Sequence, residues 1–566
     1  MTSARSGACS ALLPDGRVLV SGGIDSTGAL ATAEWFSDDG SFTPAASMTN
    51  ARSGHACVVL ADGRLLVAGG SSNGGSINTA ELYDPATDTW QPAGNLLVAR
   101  SGHTASKLAD GRVLLAGGES AGVALASLEI FNPATSNFDL VSSVLTSPRQ
   151  QHAAAVLLDG RVLIAGGTDG TNALATADLF NPATGSVSAA GKMTTARAGL
   201  SATLLLSGKV LLAGGSNGTA ELASTEVYDP ATGAFTPAAP LSAPRRDHHA
   251  LRIPGNNSIL VAGGTSGGLS LASSELFIPW TNTVKSTGSL SAPRARSTGS
   301  AMKKPGQIVV AGGAKFATAE VYAAPTVMTD QPDYAPGSTV TITGAGWQAG
   351  ETVTLHLVES PLIDTHPDLT AVADAAGNIL NNQFVVNDLD VGVTFTLTAT
   401  GGTSGLTAAT TFTDARNWDL NFAGPGSGSV TITPSTGLVN ASLSCGGTGT
   451  NAASQTVTST CSHISTTING ATITFSASAA NGSAFGGWSN PNSVSSSTCT
   501  GTTNPCSLIF SGNGSLTVSF NVATTTSVVS SLNPSTYGTG VSFTATVTRT
   551  NGSGTPTGSV QFKIDG

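Results

Sequence analysis

Charge is scarce in this chain. Only 10% of its 566 residues are Asp, Glu, Lys or Arg, against roughly a quarter in an ordinary soluble domain. Lys and Arg number 24, Asp and Glu 34, and the formal net charge is −10. No Lys/Arg cluster is present to track a phosphate backbone, so nucleic acid is not an expected partner. Aromatic residues make up only 5%. No apolar run reaches the roughly 20 residues that a helix needs to span a bilayer. The start, Met1-Thr2-Ser3-Ala4-Arg5, lacks the apolar stretch of a signal peptide. A strand-to-helix nucleophile elbow and the HExxH and Walker motifs are missing, so nothing local nominates hydrolase or nucleotide chemistry.

What the chain does have is glycine, 69 residues of it, and a period. A glycine pair begins at Gly22, Gly69, Gly117, Gly166, Gly214, Gly263 and Gly312, at intervals of 47 to 49 residues. One unit reads Ala56-Cys57-Val58-Val59-Leu60, a turn at Asp62-Gly63, then Leu65-Leu66-Val67-Ala68 before its pair. Short apolar runs between turn residues are buried strands, and Asp-Gly favours a tight hairpin because glycine accepts positive φ. A third strand, Ala80-Glu81-Leu82-Tyr83, and a fourth carrying Trp90 complete the unit. Four strands per repeat of about 50 residues predict an all-β fold opening with a seven-bladed β-propeller of kelch type. It would occupy residues 1–324.

Other positions recur with the pairs. Arg5, Arg52, Arg100, Arg149, Arg197 and Arg246 each stand 17 residues before a pair, and His55, His103, His152 and His249 stand three residues after an arginine. A ring of imidazoles suggests a metal. However, equivalent residues spread around a ring lie too far apart for bonds of roughly 2 Å to one ion. The expected role of these Arg, His and Gly residues, and of the recurring Glu on the third strand, is therefore structural. Buried polar groups must pair, and no metal or cofactor is expected. The unequal loops after the pairs are the candidate binding surface, marked by Asn73, Ser76, Glu119, Thr168, Asn172, Ser216 and Thr265. They are rich in Gly, Ser, Thr and Asn and hold no aromatics, which suits weak polar recognition.

The seventh unit reaches Ala324-Pro325 directly after its third strand, so 27 of the 28 strands of seven full blades are expected. Met1–Arg5 resembles Met48–Arg52 and Met193–Arg197, which link units. The chain thus reads as starting inside a longer protein, with a closing strand and a signal peptide upstream. Residues 325–414 alternate with period two between Pro/Gly turns and predict an Ig-like sandwich. Their acids Glu359, Asp364, Asp368, Asp374, Asp388 and Asp390 are scattered rather than spaced as loop ligands. Residues 417–522 predict a small β-rich repeat domain, and 524–566 about half of another sandwich.

Cys445, Cys461, Cys499 and Cys506 fall within one unit and suggest two disulfides and an oxidising compartment. Three pairings are open, with Cys445–Cys461 and Cys499–Cys506 the local choice. Cys9 and Cys57 lie one step out of equivalence in neighbouring units. That places them on opposite strand faces, so each is expected as a small buried apolar group.

The glycine pairs, Asp-Gly turns and aromatic third and fourth strands resemble bacterial kelch-repeat proteins and, more distantly, the galactose-oxidase-like propeller. Residues 326–414 and 524–566 resemble bacterial immunoglobulin-like domains of surface proteins, and the segment around Gly487-Trp488 resembles the divergent repeat modules of cell-wall-associated proteins. The galactose-oxidase-like resemblance implies copper held by two tyrosines and two histidines, one tyrosine being joined to a cysteine. Tyr83, Tyr228 and Tyr322 sit instead at the repeated third-strand position, and Tyr334 and Tyr537 lie outside the propeller. The expectation is a secreted or cell-surface, non-enzymatic binding or adhesion protein with a polysaccharide or surface protein as partner. The alternatives are a carbohydrate or alcohol oxidase and a purely structural spacer.

Overall fold

The computed structural model describes residues 1–313, 316–334, 337–387 and 393–414, and strands within 416–549. The described residues form strands and turns, with no helix. The described residues of 1–323 form seven consecutive antiparallel sheets, six with four strands and the last with three, along with four two-stranded ribbons. Such four-stranded sheets are the blades of a β-propeller. In the second unit the strands are Ala56–Val59, Leu65–Ala68, Thr79–Asp84 and Thr89–Asn95. Among the described residues the seventh holds Thr298–Ala301, Gln307–Ala311 and Ala319–Ala323.

Alternation along the second strand explains why units stack. Leu65 and Val67 pack toward the first unit with Leu19 and Trp35, whereas Leu66 and Ala68 pack toward the third with Val113, Leu115 and Phe131. Each sheet thus buries both faces, and its second strand is wholly buried. The seventh unit meets the first in the same way, through Val309, Met302, Val18 and Phe36.

The glycine pairs sit at these junctions. Gly69 and Gly70 have φ of 61° and 99°. A Cβ on Gly69 would stand 2.5 Å from the Arg100 carbonyl oxygen and 2.8 Å from the His103 ring, both in the next unit. A left-handed backbone pressed against a neighbour leaves room only for glycine. The Gly70 N–H donates to Arg100 O at 2.8 Å, and Gly313 N–H donates to Arg5 O at the same distance.

Two features depart from the expectations drawn from the sequence. Cys9 and Cys57 form a disulfide, with Cα atoms 6.3 Å apart. They do occupy opposite strand faces: Ala56, not Cys57, shares the register of Cys9. But stacked sheets meet front to back, so opposite faces of neighbouring units are the ones that touch. Cys499 and Cys506 are also bonded, with Cα atoms 4.8 Å apart; Cys445 and Cys461 lie outside the described residues.

The second departure concerns the sixth unit. Arg245, not Arg246, takes the repeated arginine position, and His248, not His249, the repeated histidine position. The shift comes from a hairpin longer by one residue. Ile253 N–H reaches Ser258 O across five residues, where Leu60 N–H reaches Arg64 O across four.

After the propeller, two sheets of three and five strands face each other between Met328 and Asp414. Their shared core includes Ile342, Trp347, Leu355, Phe395 and Phe412. The long hairpin of the sixth unit touches this sandwich. Asn256 Nδ2 donates to Pro325 O and Thr407 O, and Asn257 Nδ2 donates to Ala409 O at 2.7 Å. Strands between Arg416 and Val522 form two further five-stranded sheets.

Candidate functional site

Each unit carries a fully buried arginine that ties its strands together. Arg100 Nη1 donates to Gly117 O and Ser127 O, and its Nη2 meets Glu129 at 2.6 Å. Glu129 in turn accepts from the N–H groups of Leu97 and Val98 on the incoming link. The same pairing recurs as Arg5–Glu34, Arg52–Glu81, Arg149–Asp178, Arg197–Glu226, Arg245–Glu275 and Arg294–Glu320. These groups are consumed by the fold. The histidines His55, His103, His152 and His248 pack over the glycine pair of the preceding unit, and both ring nitrogens of His55 and His103 are buried with no hydrogen-bond partner among the described residues. Burial, then the neighbouring arginine, pushes His55, His152 and His248 down to about 3 and His103 well below its usual range. All four are neutral at physiological pH, and each belongs to its own junction. His249 is placed differently, with Nε2 against Ser297 O.

Two residues after each buried arginine the backbone is left-handed. Gly7, Gly54, Gly102 and Gly199 hold this place in four units, with φ between 59° and 65°. In the other three the residue is Gln151, Asp247 or Arg296, with φ of 51° to 52°. These positions form a collar of backbone hydrogen bonds at one end of the assembly. Gly54 N–H donates to Gly7 O, Gly102 to Gly54, Gly199 to Gln151, Asp247 to Gly199, Arg296 to Asp247, and Gly7 to Arg296, all at 2.9–3.2 Å. A non-glycine residue in this conformation costs about 1 kcal/mol or more. Backbone strain of this kind concentrates where a side chain has work to do.

The three side chains are neither equivalent nor buried in a core. Gln151 and Arg296 are exposed and Asp247 is half-buried. Arg296 Nε lies 3.6 Å from Asp247 Oδ2, and Arg246 Nε lies 3.4 Å from Glu221 Oε1. The Glu221 carboxyl is held below its ordinary range, first by its own backbone N–H, then by that of Gly267. Beside Gln151 and the Arg246–Glu221 pair opens a polar hollow of about 320 Å³, lined also by Thr168, Thr171, Ser216 and Thr219 among others. It mixes hydroxyls, an amide, a carboxylate and a guanidinium, the donor and acceptor set suited to a hydroxyl-rich ligand.

Of the loop residues expected to bind, Thr168 and Ser216 line this hollow. Asn172 is exposed on the same loop as Thr168, where its N–H caps Asp169 at 2.7 Å. Asn73 is an exposed loop tip and Thr265 bridges to Arg246. Ser76 and Glu119 bind each other at 3.0 Å, and Ser101 joins them. Burial pushes the Glu119 carboxyl up, but the Ser101 hydroxyl and Gly122 N–H outweigh it. Gln151, Asp247, Arg296 and Glu221 were not expected from the sequence. For Gln151, Asp247 and Arg296 the signal was the loss of glycine two residues after the arginine, hidden in the sixth and seventh units by the shifted register.

A second cleft of about 710 Å³ opens between propeller and sandwich, lined in part by Leu158, Leu206, Trp280, Thr394 and Thr411. The Trp280 indole N–H is buried there without a partner.

Comparison with known proteins gives the class. The Kelch motif matches residues 51–97, 151–194 and 199–242. No curated protein matches. A solved structure titled as a novel fungal alcohol oxidase of the AA5 family, in complex with copper, is 17% identical, with a TM-score of 0.50. The match covers 73% of this chain and 97% of that one. The structure of YjhT is 16% identical, with a TM-score of 0.42, over 50% of this chain and 98% of that one. The chain therefore carries Kelch repeats folded as a β-propeller, and its likeness to the oxidase is one of fold.

The residues present do not fit a copper centre of the kind that the resemblance implied. Tyr83 and Tyr228 are fully buried between sheets, Tyr83 bonded to Asp88. Cys9 and Cys57 are joined to each other, which leaves neither for a tyrosine.

Proposed function

We propose that this chain is a non-enzymatic binding protein of the cell surface or exterior. Its seven sheets act as one closed seven-bladed propeller over residues 1–324 that recognises a hydroxyl-rich polymer such as a polysaccharide. The sandwich of residues 325–414 is an Ig-like module that, with the domains at 417–522 and 524–566, acts as a stalk. The observation that carries the reading is the asymmetry of the collar. Four units take glycine where the backbone demands it, while three accept strain to place Gln151, Asp247 and Arg296 on the collar, and Gln151 lines the hollow. Two disulfides, Cys9–Cys57 and Cys499–Cys506, favour an oxidising compartment. The test is a glycan and surface-protein array probed with the full chain. Binding to one polysaccharide class, abolished by combining Q151G, D247G and R296G, is the expected result. An empty array, or binding that the triple variant keeps, overturns it.

A further inference from the structure

We infer that the sandwich behind the propeller holds a site for a divalent transition metal, zinc first among them, built from Glu359, Asp364 and His366. Glu359 and Asp364, expected as scattered acids, are brought together with His366 by the fold. Glu359 stands near the end of the strand Thr352–Ser360, and the loop after it folds back. One ligand atom from each of Glu359, Asp364 and His366 then lies within 4.8 Å of the others.

Three features go beyond proximity. First, His366 Nε2 faces two acceptors, Glu359 Oε1 at 2.7 Å and Asp364 Oδ1 at 3.2 Å. A single ring N–H serves one of them well. Second, the other is left over: Asp364 Oδ1 is buried and has no hydrogen-bond partner. A buried carboxylate oxygen without a donor is costly, and a cation at the centre of the cluster would satisfy it. Third, the donors are held in place from outside. Glu359 is fully buried, and its other oxygen accepts the N–H groups of Ile363 and Asp364, each at 2.9 Å. The His366 ring stands edge-on to Phe384 at 5.1 Å and lies 5.5 Å from Phe395. Such outer contacts orient metal ligands before the ion arrives.

The donor set selects the ion. One imidazole and two carboxylates suit zinc and its first-row neighbours, whereas calcium and magnesium prefer oxygen alone. Three protein ligands leave a fourth tetrahedral position for water. The ligands span only eight residues of one strand end and its loop, so the site forms locally once the sandwich has folded.

The experiment is zinc titration by calorimetry on the untagged full chain after chelator treatment. Expected are one equivalent bound per chain, a rise in melting temperature with zinc, and no competition from calcium. D364N changes the most exposed ligand and should weaken zinc at least about tenfold, and H366A should remove binding. H356A is the control, because the exposed His356–Asp368 pair of the same sandwich is outside the site; it should bind as the parent chain does. Metal-free melting curves of D364N that match the parent separate lost ligation from lost folding. Absence of stoichiometric zinc, or binding unchanged in both D364N and H366A, overturns the assignment and leaves the cluster as a hydrogen-bonded loop clasp.

Discussion

Asp247 and Arg296 hold the same place in neighbouring units, both left-handed, and their side chains meet at 3.6 Å. Their backbones are bonded too, Arg296 N–H to Asp247 O at 3.2 Å. Glycine would serve the backbone as well at either place, as it does at Gly54 and Gly102. The side chains are therefore an addition to the collar and not a requirement of it.

Replacing them separates stability from recognition. Q151G, D247G and R296G each relieve a left-handed non-glycine residue but free the unfolded chain, so the two effects offset to within about 1 kcal/mol. The triple variant should melt within a few degrees of the parent in calorimetry while losing ligand on the array. A collapse in melting temperature would show that these side chains hold the fold.

The buried Arg100–Glu129 pair should behave in the opposite way. R100A leaves the Glu129 carboxylate buried without its partner, at a cost of about 3–5 kcal/mol. The exposed Arg64–Asp62 pair is the contrast, since R64A should cost less than about 1 kcal/mol. Urea unfolding of both variants measures the difference, and similar losses would contradict the assigned roles.

Acid should destabilise the propeller well above the carboxylate range. His55, His152 and His248 sit near 3 when folded and near 6.5 when unfolded. Below pH 6.5 the unfolded chain takes up protons that the folded chain refuses, so stability present above that pH is lost as pH falls toward 3. The slope is roughly 1.4 kcal/mol per pH unit for each histidine. Leu200 fills the equivalent place over Gly166, so H152L is sterically tolerable. It should remove about one proton from the slope of unfolding free energy between pH 6 and 5. An unchanged slope would mean that His152 titrates normally.

Peptide mapping without reductant should recover Cys9 linked to Cys57 and Cys499 linked to Cys506. Finding Cys9 and Cys57 as separate alkylated thiols in protein from an oxidising compartment would contradict the junction between the first two units.

The repeat was legible because it answers to local rules. Glycine pairs and short apolar strands mark every unit, Asp-Gly turns mark the first four, and the third strands follow at a regular distance. Counting failed where geometry departs from the period. Pro244-Arg245-Arg246 offers two arginines, and spacing back from Gly263 selects the second. The extra residue sits in the hairpin at Asn256 and Asn257. The prolines before Arg149, Arg245 and Arg294 were the better guide. The disulfide of Cys9 was missed because strand alternation describes one sheet, whereas a bond between sheets depends on which faces meet. Glu359, Asp364 and His366 were invisible as a set, since only the folded loop brings them together.

The longer hairpin of the sixth unit also changes how the chain would carry tension. A pull applied beyond Asp414 acts on the strand Thr407–Asp414, which Asn256 and Asn257 grip at Thr407 and Ala409. Part of that force enters the propeller sideways, through two amide side chains and the Ala409 N–H bonded to Asn256 O. The covalent link near Pro325 is relieved by the same amount. A ligand held at the collar would then be dragged by the whole ring rather than peeled from its seventh, three-stranded sheet.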